Sequence, residues 1–431
     1  MSLLLVWAGA GGSSPPVAPT PIYEVAFGYT WQSTAPVWTD VTPYVDDTTD
    51  TTVTRGRSSE LDTFQTGTAR FTLKNDGRRF DPSHAAGPYF GQLLPNVPVR
   101  IRLTFLGTTY DIFRGFIDGW PQAYTIGNRI ARVDISCSDA FKLFAKLDLV
   151  SGFFTFDSST LGVLDNNRLG GGIETAELSG ARINTVLDLA GWPSSLRDIS
   201  TGATLCQAQS SSGSAMDALR VVEQSEDGFL YIETDGDVTF VGRHERQTTT
   251  RLNTAQATFD DADGDYPYRD LRYQFDDQRI YNDVRRQREG GLEKTAENDV
   301  SIGKYFRSTH SLTGLVMASD SIAQDIADVN LERYREPRQR IEQLVIDSGN
   351  NRINLYVEVL ARRILDRITV RRTPQEVGSV IDQDLLIQGM THTFNQFRWS
   401  ATYYVTPVDT FQMFVFDSAT LGVLDEDLIG A

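Results

Sequence analysis

Alternating apolar and polar residues mark the first third of the chain as a series of short strands. The alternation is clear in three stretches, residues 69–73, 99–105 and 131–137, which clusters of Gly, Pro, Asn and Asp separate. Short strands at such regular spacing are typical of a β-sandwich or a small barrel. We therefore predict a first β-barrel over residues 23–150, which ends in a short helix that Ser138 or Asp139 caps.

The pattern changes to helical spacing in the middle of the chain. Apolar side chains recur on one face of residues 181–189 and again on one face of residues 215–224. Asp235 and Gly236 lie between two strand-like runs and predict the turn of a β-hairpin. These elements together predict an α/β domain over residues 179–250.

Strand patterns return in the second half of the chain. They lie at residues 257–259, 280–287, 366–371, 384–390 and 399–405, and helical patterns lie between them at residues 320–334 and 351–361. We therefore predict a second β-barrel over residues 251–305 and 364–412. An α/β insertion over residues 306–363 interrupts it.

The two predicted barrels share a pattern near their ends. Residues 113–119 resemble residues 387–392, and each stretch is followed by a loop, an alternating strand and an Asp. We therefore interpret the fold as mainly β with α/β insertions, built from two related small β-barrels plus α/β domains.

A ten-residue segment, here called the clip, appears twice in the chain. Residues 156–165 and 416–425 differ only by Ser159 in the first copy and Ala419 in the second. A decapeptide is too short to hold a core, so we interpret it as an attachment segment that docks on a receiving surface; a paired structural turn inside each barrel is the alternative. The apolar anchors would be Phe156, Leu161, Val163 and Leu164 in the connector 151–178, and Phe416, Leu421, Val423 and Leu424 in the C-terminal segment 413–431.

The first 22 residues predict a second kind of attachment segment. Their apolar run has no positively charged region before it and is too short for a signal peptide or a membrane span, so we expect no membrane anchoring. A Pro-rich stretch at residues 13–21 follows and predicts an extended leader. We expect Leu3, Leu4, Leu5 and Trp7 to form an apolar plug that inserts into a neighbouring subunit.

Composition and charge narrow the classes of function. The 431 residues are 40% hydrophobic and carry a formal net charge of −17, with 57 acidic and 40 basic residues. This sign argues against tight binding of DNA or RNA. Two cysteines, four histidines and the absence of zinc-binding spacings argue against a disulfide framework, a metal site or a cofactor.

No stretch of the sequence has the pattern of a catalytic site. Residues 260–265 look like a calcium loop, but the Gly lies in the wrong place for an EF-hand and no Glu follows at the twelfth position. His84 and His392 are most simply turn and strand residues, because no Cys or Ser lies in a recognisable nucleophile setting. We therefore predict no catalytic residues and no enzymatic activity.

Several segments resemble one family of viral proteins. Residues 55–82 are similar to the opening barrel of the tail-hub (baseplate hub) proteins of bacteriophages, in the minor tail protein form of long-tailed phages, or siphoviruses, of actinobacteria. Residues 229–240 resemble the central hairpin of those proteins. Residues 281–284 and 359–370 resemble the incoming and return strands of their second barrel.

The resemblance implies a homotrimeric hub at the tail tip of the virion. Three chains would present six similar barrels in a pseudo-six-fold ring, with a distal tail protein or the tail tube above and tip, spike or fibre proteins below. The ring would enclose a channel through which the tape-measure protein and DNA pass, so DNA would be present only in transit. The chain stops just after the second clip, so we expect cell-wall cutting and host recognition to belong to partners.

Two other functions remain open from the sequence. The first is a distal-tail or adaptor ring protein of the same tail, which would be present in six copies rather than three. The second is a carbohydrate-binding or carbohydrate-degrading β protein, for which glycan binding or hydrolysis would be the evidence.

Overall fold

The computed structural model describes residues 18–122, 131–149, 176–208, 213–261, 266–347, 353–375, 378–395 and 398–408. Within these residues the protein is mainly β, with helices between the strands, so the predicted fold class is confirmed. Among the described helices, none is both long and apolar enough to cross a membrane.

The first β unit comprises the following elements: β1 (Thr20–Val25), β2 (Thr39–Asp40), β3 (Thr51–Gly56), β4 (Gln65–Lys74), β5 (Pro98–Phe105), β6 (Thr108–Ile117), β7 (Arg132–Ser138) and helix α1 (Phe141–Lys146). Apolar side chains alternate along these strands and line the core; β4, for example, buries Ala69, Phe71 and Leu73. The N-cap residue of α1 is Ala140 rather than the predicted Ser138 or Asp139. The Asp139 carboxylate accepts a hydrogen bond from the N–H of Phe141, the first residue of the helix, at 3.0 Å.

An α/β region follows: β8 (Glu177–Leu178), α2 (Ser179–Leu189), β9 (Arg197–Ile199), β10 (Leu205–Cys206), α3 (Ala215–Glu226), β11 (Phe229–Ile232), β12 (Val238–Val241), α4 (Glu245–Thr248) and α5 (Thr250–Asn253). The helix and hairpin predictions for this region are confirmed. Ser214 and Asp217 form a capping box at the start of α3. Gly236, with a φ of 94°, makes the turn between β11 and β12.

The rest of the described chain contains β13 (Ala257–Phe259), β14 (Asp270–Gln274), β15 (Asp283–Arg288), β16 (Lys294–Glu297), α6 (Asp299–Tyr305), β17 (Thr309–Leu315), α7 (Asp320–Tyr334), β18 (Arg340–Asp347), α8 (Ile353–Ala361), β19 (Arg367–Arg372), β20 (Ile381–Phe394) and β21 (Trp399–Pro407). Helices α7 and α8 lie where the sequence predicts them. Ser319 caps α7 by accepting a hydrogen bond from the N–H of Ile322.

The two β units have the same strand order. Neighbouring strands in the first unit run β3-β4-β7-β6-β5-β1, and in the second unit they run β14-β18-β21-β20-β19-β13. All neighbouring strands of the first series are antiparallel. Those of the second series are antiparallel too, except that β13 is parallel to β19, whereas its counterpart β1 is antiparallel to β5. The similarity noted in the sequence between the ends of the two units therefore extends through the whole sheet.

Backbone details confirm that the two units correspond residue by residue at their centres. The N–H of Asn96 donates to the carbonyl of Ile117 at 2.8 Å, and the N–H of Leu365 donates to the carbonyl of Ile387 at 2.7 Å. Asn96 and Leu365 both have the left-handed conformation, with φ of 62° and 68°. Ile117 of the first unit therefore corresponds to Ile387 of the second, so the sequence comparison of residues 113–119 with residues 387–392 is wrong in register by four residues.

The two units join edge to edge in one sheet. Strand β3 pairs antiparallel with the second half of β20, from Gly56 opposite Gly389 to Thr51 opposite Phe394. This pairing makes a 13-stranded sheet of the described strands. One hydrophobic core runs through both units and the α/β region.

The inserted α/β piece differs from the segment expected at residues 306–363. Strands β15 and β16 pair with β17 in a separate three-stranded sheet, although the sequence places them in the second barrel. Strand β18, expected within the insertion, pairs with β14 and β21 in the large sheet. The insertion therefore runs from β15 to α7, and residues 281–284 lie in it rather than in the second β unit. Alternation identifies a strand but not its partner, which is why the sequence misplaces these boundaries.

Candidate assembly surface

All the attachment residues predicted from the sequence lie outside the described residues. These are Leu3, Leu4, Leu5 and Trp7 of the plug, Phe156, Leu161, Val163 and Leu164 of the first clip, and Phe416, Leu421, Val423 and Leu424 of the second. Their roles stay predictions. The structure instead describes the junction between the two β units, which shows how one unit binds another.

Two glycines allow the backbones of β3 and β20 to approach closely. Gly56 has a φ of 91°, and a Cβ atom there would overlap the backbone of Gln388 and Gly389. A Cβ atom on Gly389 would lie 2.5 Å from the carbonyl oxygen of Arg57. Larger residues at either position would push the strands apart, so both glycines serve the junction.

Arg57 and Gln388 bind each other across the junction. The Nε and Nη2 atoms of Arg57 donate to the Oε1 atom of Gln388 at 2.8 and 2.6 Å, and Nη1 donates to the carbonyl of Asp62 at 2.7 Å. The guanidinium also lies 4.5 Å from the ring centroid of Phe64, which adds a cation–π contact. Burial lowers the pKa of Arg57, and nearby carboxylates, Glu223 first among them, oppose that effect. The pair fixes the position of one unit against the other.

Glu60 connects the first β unit to the second through buried charges. It accepts hydrogen bonds from Arg279 and Arg340 at 2.8 and 2.9 Å, and from the Thr406 hydroxyl at 2.8 Å. The side chains of Glu60 and of both arginines are almost fully buried. Removal of one member of such a cluster leaves an uncompensated buried charge, which costs about 3–5 kcal/mol.

A second charged cluster, with buried arginines around a half-buried carboxylate, connects the α/β region to the insertion. Asp227, which ends α3 in a left-handed conformation, contacts Arg333 of α7 at 2.6 Å and Arg246 of α4 at 3.3 Å. Burial by itself would raise the pKa of Asp227, but the two arginines hold it below its usual range. These contacts orient the insertion against the rest of the chain.

Both cysteines and two of the histidines are buried or half-buried, and burial shifts their pKa values. Burial raises the pKa of Cys206 to about 12 and raises that of Cys137 as well. Burial, with a smaller effect of Arg55, lowers the pKa of His392 to about 3, and burial with Arg286 lowers that of His310 to about 4. At neutral pH these four side chains are therefore uncharged. In the part of the chain that the structure describes, no three His, Cys, Asp or Glu side chains cluster closely enough to hold a metal ion.

The acidic stretch at residues 260–265 is described only in part. Asp261 accepts hydrogen bonds from Arg372 at 2.7 Å and from the N–H of Thr373 at 3.0 Å. Residues 262–265 lie outside the described residues. Asp261 thus ties the start of this loop to the end of β19.

The sequence does not reveal the residues of the junction. Arg57 and Gln388 are 331 positions apart, and nothing in either local pattern points to the other. Gly56 and Gly389 carry the one usable signal, since a glycine inside a strand often marks a close approach of another backbone.

Comparisons with solved structures find the same overall fold in two tail proteins. The 43 kDa tail protein of prophage MuSo2 from Shewanella oneidensis matches with a TM-score of 0.52 and 11% identity, over 91% of this chain and 98% of that one. The tail protein from Neisseria meningitidis MC58 matches with a TM-score of 0.55 and 11% identity, over 89% of this chain and 95% of that one. No protein-family model and no curated protein sequence matches the chain. The chain therefore shares its fold with these two tail proteins.

Proposed function

We propose that the protein is a structural component of a bacteriophage tail, the hub at the tail tip. Three chains form a pseudo-six-fold ring that joins the tail tube to the tip and encloses the channel for the tape-measure protein and DNA. The ring binds a distal tail protein or the tube on one face and tip, spike or fibre proteins on the other. The protein has no catalytic role.

The observation that supports this proposal best is the repeated strand order within one chain. Two β units with the same order are joined edge to edge through β3 and β20. A trimer of such chains offers six similar units, which suits a position between a six-fold tube and a three-fold tip. The fold shared with two tail proteins, one of them from a prophage, supports a structural role in a tail. The net charge of −17 suits a channel that DNA passes without binding.

The copy number in purified virions tests the proposal. Quantitative mass spectrometry against a tail protein of known copy number should give three chains per virion. Six chains would contradict the hub and favour an adaptor ring. Absence from the virion would contradict both.

A further inference from the structure

The first β unit has an open position where the second unit binds β3. Ile117 corresponds to Ile387, so Gly119 corresponds to Gly389, two residues further along. The backbone of β3 fills the space beside Gly389, whereas a Cβ atom on Gly119 would meet nothing within 4 Å. Residues 118–122 form no strand, and the pairing of β6 with β7 ends at Ile117. Counted along the chain from Ile117, the first unit therefore has the same glycine, with no strand packed against it among the described residues.

Strand β14 is the counterpart of β3. It forms one end of the large sheet, whose order runs from β14 to β2. Thr52 and Arg272 occupy equivalent positions, opposite Arg70 and Gln343. Among the described strands, β14 pairs only with β18. An unpaired edge with free N–H and C=O groups is a template for pairing with another chain.

The side chains of β14 are exposed where those of β3 are buried. Val53 and Arg55 of β3 are buried at the junction with β20. Counted along the chain from Arg272, their counterparts are Tyr273 and Phe275, which are 38% and 62% exposed. Phe275 directly follows β14, and the register shift after Arg272 places the extra residue on β18. Exposed aromatic residues on a free edge are typical of a surface that another protein covers.

We propose that β14 of one chain adds as an antiparallel strand to residues 118–122 of a second copy of this chain. This inference rests on the proposed trimeric hub and names its interface. Phe275 would lie opposite Trp120, beside Leu94, which is 55% exposed and whose carbonyl accepts a hydrogen bond from the Trp120 indole. Junctions inside and between chains then alternate around the ring, which closes after three chains.

Pro121 is compatible with this pairing. The N–H of Arg57 donates to the carbonyl of Gln388, so Gln388 is at a hydrogen-bonded position of the β3–β20 pair. Such positions alternate along an antiparallel strand, so Thr391, three residues further along β20, does not hydrogen-bond to β3. Pro121 corresponds to Thr391, and its missing N–H therefore costs nothing on this edge. The Arg57–Gln388 contact is not repeated, because Asp277 and Asp118 occupy the equivalent positions. The pairing between chains thus depends on the backbone and on Tyr273 and Phe275.

Substitution of the open glycine tests the interface. Gly119→Val adds a side chain where the free chain has space, so the variant should fold and melt like the wild type but be monomeric by analytical ultracentrifugation. Gly303→Val is the matched control, since a Cβ atom on Gly303 also meets nothing within 4 Å, and it should stay trimeric. A trimeric Gly119→Val protein would overturn the interface while leaving the hub proposal intact. A wild-type protein that forms no trimer at any concentration would contradict the hub itself.

A disulfide identifies the paired residues directly. Gln274 and Pro121 correspond to Thr54 and Thr391, whose hydroxyl oxygens lie 3.2 Å apart at the junction inside the chain. Cysteines opposite each other at such positions have Cα atoms about 4.5–5.5 Å apart, within reach of a disulfide. The double variant Gln274→Cys, Pro121→Cys should form a covalent trimer on oxidation. The control Pro121→Cys, Val380→Cys, with its second cysteine at an exposed position elsewhere, should not. A trimer that shows no cross-link in the first variant would refute this pairing.

Discussion

Glu60 is the residue at which the two β units and the start of the insertion meet. It lies in the loop between β3 and β4, and it accepts hydrogen bonds from Arg279, Arg340 of β18 and Thr406 of β21. Because all four side chains are buried, the cluster can stabilise only one arrangement of these elements. The relative position of the two units is therefore set by few residues.

Glu60→Gln should destabilise the protein strongly, because it leaves the buried Arg340 without its counter-charge and leaves Arg279 with Glu342 as its carboxylate partner. We expect a loss of about 3–5 kcal/mol in the free energy of unfolding, measured with urea at pH 7. Glu293→Gln, which removes an exposed partner of Arg285, is the control and should change that free energy by less than about 0.5 kcal/mol. Equal effects of the two substitutions would contradict the role of Glu60.

His392 should make the folded state sensitive to acid. Burial first, and Arg55 second, lower its pKa to about 3 in the folded chain, against an ordinary 6.5. Between these two pH values, His392 binds a proton in the unfolded chain but not in the folded chain. The free energy of unfolding therefore falls as the pH falls from about 6.5 towards 3, by at most about 5 kcal/mol. His392→Phe should remove this part of the pH dependence, whereas His84→Phe should keep it. Parallel stability curves for the wild type and His392→Phe would show that the shift is absent.

Strands and helices are the scale at which the sequence is most informative. The alternation in β4 and β7, the helical spacing in α3 and the Asp235-Gly236 turn are local patterns, and the structure confirms each. Local patterns do not show which strands pair with each other, because pairing depends on residues far apart in the chain. Nothing in the local patterns of β15 and β18 shows that one belongs to the insertion and the other to the large sheet. The junction between β3 and β20 has no local signal beyond its glycines.

Gly389→Ala should weaken the junction between the two units. The added Cβ atom would lie 2.5 Å from the carbonyl oxygen and 2.8 Å from the nitrogen of Arg57, so the strands must shift. We expect a loss of about 1–3 kcal/mol in the free energy of unfolding. Gly303→Ala, at an open position, should cost nothing. A stable Gly389→Ala protein would mean that the two strands separate more easily than their packing indicates.

Substitutions in the second clip should impair tail assembly rather than folding. If Leu421 and Leu424 anchor the second clip, each contributes about 1.5–3 kcal/mol of apolar burial, and an Asp at each position leaves an unpaired charge in an apolar pocket. The double substitution Leu421→Asp, Leu424→Asp should lower incorporation into tails by roughly tenfold or more without unfolding the chain. Ser418→Asp, at a polar position of the same clip, should not. Normal tail assembly with the double variant would refute the attachment hypothesis.

At the scale of the whole molecule, the chain repeats one β unit. The two copies differ mainly in what is inserted between their strands. The first unit connects β3 to β4 by a short loop, whereas the second places β15 to α7 between β14 and β18. The insertion has its own small hydrophobic clusters and joins the rest through Asp227, Arg246 and Arg333. In the proposed trimer, three chains would present six similar units, and every second unit would carry the insertion.

A cryo-electron microscopy map of the intact tail tip tests this central claim most directly. The account predicts a ring of six similar β densities at the height of this protein, related by three-fold symmetry, with the insertion visible on every second density. The mass of the ring should correspond to three chains of 48.0 kDa. A ring with six identical densities, each carrying the insertion, would contradict the account.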